Sequence, residues 1–242
     1  MVSTGYAWID GTAVELLLIA DHASNHVPDD IDLGIDPALL NQHIAIDLGV
    51  EPLTRALAER LDAPAILGGV SRLVIDYNRE EEAGGLIPHE SDGRPIPGNQ
   101  ALGDAERTRR LDVYFRAYHD RIARWIAAEQ PRLLVSVHSF TPELVTRPEE
   151  LRPWPIGILY NDDERAARVA IDWLRAKGIN AGDNQPYSGR VLNATMNRHA
   201  EANNIPYVGI EVRQDHLGDM AGVSRWAEVL EALIGEVLAR IA

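Results

Sequence analysis

The chain has no cysteine among its 242 residues. That excludes disulfides, thiolate metal ligands and cysteine nucleophiles together, and leaves His, Asp and Glu as the side chains able to hold a metal ion. Lysine is almost missing as well: Lys177 is the single one, so 22 of the 23 basic residues are arginine. Most of that bias is compositional, and the number of arginines by itself assigns no site. Basic residues are outnumbered by 37 acidic ones, for a formal net charge of −14. A surface that negative repels phosphate backbones and anionic headgroups, which argues against nucleic-acid and membrane partners. It leaves room for a small anionic substrate held by a local arginine cluster. Long apolar runs are lacking too. The longest, 14–20, contains Glu15 and falls far short of the ~20 residues of a membrane span. Residues 1–13 carry neither the basic flank nor the apolar stretch of a secretory leader, so the sequence reads as a soluble, cytoplasmic protein.

What is present is an ordinary globular composition, 45% hydrophobic and 25% charged, enough to bury a core. With no repeat, low-complexity tract or compositional break, the chain is expected to form a single catalytic domain over 1–242. No feature sets an oligomeric state. Short β-branched or leucine-rich runs at 14–20, 65–67, 73–77, 132–137, 156–160 and 207–212 read as strands, mostly continuous rather than alternating, as for strands covered on both faces. Helical patterns lie between them at 37–61, 105–129, 163–177, 191–203 and 224–241. The clearest places Leu111, Tyr114, Phe115, Tyr118, Ile122, Trp125 and Ile126 on one apolar stripe. Asp104 is the expected N-cap and Pro131 the stop. Strand–helix alternation predicts a three-layer α/β sandwich on a mixed, largely parallel sheet. The segment 80–103 holds five of the nineteen glycines and three prolines without periodicity, and is expected to be a structureless active-site loop.

In open α/β sheets ligands sit beyond the carboxyl ends of the strands, and four of the expected strands end in chemistry-bearing residues. Asp21-His22-Ala23-Ser24-Asn25-His26 follows the first, Asp76-Tyr77-Asn78-Arg79 the run at 73–75, His138-Ser139 the run at 133–137, and Glu211-Val212-Arg213 the run at 208–210. Each histidine alone reads as a hydrogen-bonded structural residue, and His43, His89 and His119 as helix surface, loop and helix face. Gathered at one edge, the set suggests catalysis. Two histidines and a carboxylate are the ligand set of a catalytic zinc with an open position for water, and a further carboxylate can carry the proton. His22, His138 and Glu211 supply three of these four roles. Asp47, inside an apolar stretch, either caps a helix turn or reaches into the site. Arg72, Arg79, Arg198 and Arg213 are candidates to hold a substrate carboxylate, since a guanidinium fork suits one.

Taken in order, Asp21-His22-Ala23-Ser24-Asn25-His26-Val27-Pro28, Ser71-Arg72-Leu73-Val74-Ile75-Asp76-Tyr77-Asn78-Arg79, Ser136-Val137-His138-Ser139-Phe140 and Glu211-Val212-Arg213-Gln214-Asp215 resemble the N-formylglutamate amidohydrolase family over about 16–215. The resemblance implies a zinc-carboxypeptidase-like (phosphorylase/hydrolase-like) fold and metal-dependent hydrolysis of a linear amide in an N-formyl or N-acyl amino acid, a small-molecule substrate. By analogy His22 and His138 are zinc ligands and Glu211 the general base. Arg72 polarises the carbonyl or holds a carboxylate. Asn78 and Arg79 match the Asn-Arg pair that receives a substrate carboxylate. Thr195-Met196-Asn197-Arg198-His199 looks like a substrate-side motif, adding Arg198 and His199, and Ser139 and Arg213 flank the other motifs. The carboxypeptidase pattern His-x-x-Glu is broken here, because the residue three after His22 is Asn25. Asp47 is the favoured third ligand, with Asn25 and His26 as rivals. Zinc is the expected ion, another divalent metal being compatible with His and carboxylate donors. Two other readings follow from the same residues. One is a catalytically degraded binding module for a carboxylate ligand, which kept the cleft but lost the third metal ligand. The other is a metal-free hydrolase using Ser24 or Ser139 with a histidine, without the Gly-x-Ser-x-Gly elbow such enzymes show.

Overall fold

A computed structural model describes residues 5–241; residues 1–4, part of the stretch read for a leader, and residue 242 lie outside it. Its frame is a seven-stranded sheet of β1 (Tyr6–Ile9), β2 (Leu16–Ala20), β3 (Ala65–Gly68), β6 (Leu133–Phe140), β7 (Ile156–Leu159), β8 (Ala181–Asp183) and β9 (Tyr207–Arg213), in the order β1-β3-β2-β6-β9-β7-β8. β3, β2, β6 and β9 run parallel, while β1 is antiparallel to β3 and β7 to β9. The fold is thus the expected mixed, mostly parallel α/β sandwich. Every residue of β2, β3, β6 and β7 is buried, which explains why these strands read as unbroken apolar runs.

The longest helix, α7 (Met220–Arg240), packs against α1 (Val50–Leu61) and α5 (Arg165–Ala176), and these last two lie on the sheet. α3 (Asp104–Arg110) continues through a wider π-type turn, Leu111–Arg116, into α4 (Ala117–Glu129), and α4 packs on α6 (Ala194–His199). The apolar stripe of this long helix is buried throughout, and Trp125 lies 6.2 Å from Trp8 of β1. Gly103, not Asp104, is the N-cap, and Asp104 sits in the first turn where its charge suits the helix dipole.

Three further expectations are corrected. The pattern at 37–61 is not one helix: a short 3₁₀ turn, Pro37–Asn41, is followed by irregular chain, and α1 starts only at Val50. Gly49 makes the break at φ 79°, and a Cβ there would stand 2.4 Å from that of Leu217. The run 73–77 is buried but is no strand. Its carbonyls are satisfied by side chains instead of a ladder: Asn99 Nδ2 donates to Leu73 O (2.8 Å) and Arg110 Nη1 to Val74 O (3.1 Å). Finally, 80–103 is partly structured. A hairpin of β4 (Glu90–Ser91) and β5 (Arg94–Pro95) is followed by one helical turn, α2 (Pro97–Gln100). Asp92 and Gly93 form its two-residue turn at φ 42° and 73°, the geometry an Asp-Gly pair favours.

Candidate active site

The carboxyl ends of β2, β6 and β9 open onto a cavity of about 380 Å³. His22 leaves the end of β2, and His138 lies on β6 directly opposite Glu211 of β9, so parallel register presents both side chains on one face. Asp47 arrives from the break before α1. Its backbone N–H donates to His22 O (3.0 Å), and Gly49 turns the chain away immediately afterwards. One donor atom each from His22, Asp47 and His138 lies within 4.8 Å of the others. Asp47 Oδ2 is 2.8 Å from His138 Nδ1 and 3.4 Å from His22 Nδ1.

Both imidazoles turn their other nitrogen outward to a carboxylate. His22 Nε2 is 2.7 Å from Asp76 Oδ1. His138 Nε2 is 3.5 Å from Asp21 Oδ2, close enough to pair electrostatically but not an aligned hydrogen bond. Asp21 Oδ1 in turn accepts from the Tyr118 hydroxyl (2.8 Å). A carboxylate on the outer nitrogen keeps the proton there and directs the lone pair of Nδ1 inward, which is how metal-binding histidines are commonly oriented. Arg72 spans the group, with Nη1 on Asp47 Oδ1 (3.0 Å) and Nη2 on Asp76 Oδ2 (3.2 Å).

The electrostatics follow from burial of many acids together. Burial alone disfavours charge on Asp47 and Asp76, but the histidines and Arg72 hold both carboxyls below their ordinary range. Burial likewise opposes protonation of His138 and His22, yet the surrounding carboxylates raise both imidazoles. Glu211 moves the other way, up to about 7, because burial outweighs the pull of His138 and Asp47 adds to the rise. Its Oε2 has no hydrogen-bond partner among the described residues. Four buried carboxylates, Asp21, Asp47, Asp76 and Glu211, thus meet two imidazoles and the guanidiniums of Arg72 and, at 3.6 Å from Asp76, Arg79; with the imidazoles neutral the acids are in excess, and a divalent cation would neutralise that excess. The donor set, two inward imidazole nitrogens and one carboxylate oxygen, fits zinc or a similar ion.

Asn78 and Arg79 line the same cavity. Asn78 Oδ1 accepts from the Thr195 backbone N–H (3.0 Å), and Arg79 Nε is 3.6 Å from Asp76, leaving its fork half-exposed. The hairpin after them contributes Glu90, Ser91 and Asp92 to the wall. Asp92 clips the hairpin down by accepting from the Val145 and Thr146 backbones (3.0 Å each) and from His43 Nε2 (3.0 Å). His43, read from the sequence as helix surface, therefore sits at the cavity.

Several sequence candidates lie elsewhere. Asn25 Nδ2 donates to Asn41 and His26 is exposed, so neither rival joins the histidines. Arg198 stacks over Phe115 at 5.1 Å and faces Glu80 at 3.8 Å, outside the cavity wall. His199 is buried against His119, with 2.9 Å between Nε2 and Nδ1. Arg213 pairs with Asp215 and donates to Arg152 O (3.1 Å). None of the three belongs to the lining of this cavity. Ser139 lines the cavity, but its hydroxyl donates to Leu48 O (2.8 Å). Ser24 Oγ accepts from the His26 backbone. Neither serine has an imidazole partner among the described residues, so the metal-free hydrolase reading loses its geometry. Asp21 and Asp76 were visible at strand ends without a role, and their place behind the histidines is decided by the fold.

Comparison with curated proteins gives no match. Among solved structures, a gene product of Agrobacterium tumefaciens is similar at 30% identity and a TM-score of 0.91, over 98% of this chain and 96% of that one. N-formylglutamate amidohydrolase from Ralstonia eutropha shares the fold at 18% identity and a TM-score of 0.65, over 95% of both chains. A bacteriophage poly-gamma-glutamate hydrolase shares it more distantly, at 12% identity and a TM-score of 0.50, over 99% of this chain and 92% of that one. No helix among the described residues is long and apolar enough to cross a membrane. The sequence matches the N-formylglutamate amidohydrolase family over residues 14–217, and the chain belongs to that family of amide hydrolases.

Proposed function

We propose that this chain is a metal-dependent amidohydrolase that cleaves the formyl or acyl amide of an N-acylated amino acid. The observation that carries the reading is the convergence of His22 Nδ1, His138 Nδ1 and Asp47 Oδ2 beside a buried Glu211 with an unpartnered carboxyl oxygen. His22, Asp47 and His138 would hold the ion, zinc in first place. Bound there, zinc supplies Lewis acidity and lowers the pKa of water to roughly 7.

The chain's own residues perform the rest. Asn78 and Arg79 receive the carboxylate of the amino acid at the cavity wall, Arg79 offering a guanidinium whose Nε lies 3.6 Å from Asp76 and whose terminal nitrogens meet no other acid among the described residues. Arg72 fixes the carboxylates of Asp47 and Asp76 and keeps further N–H groups for a substrate oxygen. Glu211, with a pKa near 7, takes a proton from the attacking water and delivers it to the departing nitrogen. One C–O bond forms, one C–N bond breaks, and the products are a carboxylic acid and the free amino acid.

Metal analysis of the purified protein, together with assays of formate or amine release from N-formyl amino acids, tests this directly. Glu211→Gln should lower kcat by about 10²–10⁴-fold while keeping the metal. Undiminished turnover in Glu211→Gln, or full activity after exhaustive chelation, would overturn the mechanism.

A further inference from the structure

We propose that Tyr187 is a further catalytic residue of this site, donating its phenolic hydrogen bond to the substrate's scissile carbonyl oxygen as that oxygen gains negative charge. The proposal rests on the amidohydrolase reading above and assigns that reading's missing neutral donor.

Tyr187 lines the cavity that holds His22, His138 and Glu211. Its hydroxyl lies 2.9 Å from Arg152 Nη1, and the Arg152 guanidinium also sits over its ring, 4.9 Å from the centroid. The Arg152 side chain has no solvent exposure. It is fixed by Thr141 O at 3.1 Å and Glu150 Oε1 at 2.9 Å. A guanidinium can only donate. The phenolic oxygen therefore accepts from Arg152 and its own hydrogen must point elsewhere, yet among the described residues no second partner engages the hydroxyl.

Three other hydroxyls on the cavity wall are committed. Ser139 donates to Leu48 O, Thr141 to Glu143 O and Thr146 to Asp92. Arg72 anchors two carboxylates with its terminal nitrogens and offers its remaining N–H groups as a charged donor, whereas the tyrosine hydroxyl is a neutral one. Tyr187 thus presents a donor whose acceptor side is already polarised by a buried cation. Burial, and then the charge of Glu211, raise its pKa against the pull of Arg152 and Arg72, so the hydroxyl keeps its proton. Such a donor binds a neutral amide oxygen weakly and a developing oxyanion strongly, which lowers the barrier rather than tightening ground-state binding. The same frame gives Arg213 a place, since it donates to the backbone carbonyl of Arg152 and so steadies the residue that orients the tyrosine.

The test is Tyr187→Phe in the metal-loaded enzyme, with steady-state kinetics on an N-formyl amino acid beside metal content and thermal melting. The expected result is a fall in kcat of about 10²-fold, in the range for loss of one preorganised donor. KM should stay within threefold, with metal content and melting temperature kept. Equal kcat in wild type and variant would overturn the proposal while leaving the amidohydrolase reading intact. A raised KM at unchanged kcat would overturn it in favour of simple substrate binding, and loss of metal or of the melting transition would overturn it in favour of a structural role. Absence of turnover in the wild type would bring down the amidohydrolase reading and this proposal with it.

Discussion

Two buried histidine pairs lie in this molecule, each with ring centroids 5.1 Å apart, and they behave in opposite ways. In the pair His22 and His138 the rings are tilted by 59°, Asp47 stands between them, and Asp76 and Asp21 back their outer nitrogens. In the pair His119 and His199 the rings stack at 20°, one nitrogen bonds directly to the other, and the remaining His119 nitrogen meets the Tyr77 carbonyl. Carboxylates raise the first pair above the ordinary histidine range. Burial, reinforced by the charge of Arg198 and only partly offset by Asp21, pushes His119 down to about 3 and His199 to about 4. Burial and spacing are shared, so the acids decide which pair can hold a cation. The second pair is instead a neutral strut. It joins α4 to α6 and fixes the backbone of Tyr77, beside the Asn78 and Arg79 that face the cavity.

Breaking one pair and then the other gives the largest contrast. His138→Ala should leave the protein with well under one equivalent of zinc, whereas His199→Gln should retain a full equivalent, both read by metal analysis after desalting. Equal metal loss in the two variants would erase the distinction between the sites. A smaller effect is expected behind the first pair. Asp76→Asn removes the carboxylate that orients His22 and should weaken zinc affinity by about 10–100-fold, measured by competition with a chromophoric chelator; unchanged affinity would show that Asp76 serves only Arg72.

The smallest effect sharpens the second pair. Because both folded-state values lie below the unfolded value of about 6.5, the pair's stability is complete above that pH. It is lost as the pH falls toward 4, since the unfolded chain takes up protons that the fold refuses. The melting temperature should therefore decline between pH 7 and 5 by a few degrees more than in the double variant His119→Gln/His199→Gln, both measured without metal. Parallel curves would mean that the pair does not titrate in this way.

How much of this was readable in the chain depends on whether a signal is local. The buried strands announce themselves as apolar runs, and the motifs holding His22, His138 and Glu211 stand at strand ends, so the sheet and most of the site edge are legible. The run 73–77 misleads because apolar character reports burial, not pairing, and the groups that satisfy its backbone, Asn99 and Arg110, come from distant segments. Asp92-Gly93 carried a hairpin signal that the surrounding glycines and prolines masked. Arg198 and His199 read as site residues because 195–199 resembles a substrate-side motif, whereas in the fold they meet Glu80, Phe115 and His119.

By itself the sequence determines the absence of thiol chemistry, the α/β pattern, the family and the identity of the imidazole and carboxyl groups available for catalysis, because each of these is written in residue type, order and short-range period. Tertiary structure alone decides that Asp47, rather than Asn25 or His26, stands with the two histidines, since a left-handed glycine turn and a backbone hydrogen bond to His22 carry it there. It also decides which histidines face acids and which face each other. The physical reason is that the pKa and ligand capacity of a buried group are set by neighbours far away in the chain, and only the folded sheet brings those neighbours within reach.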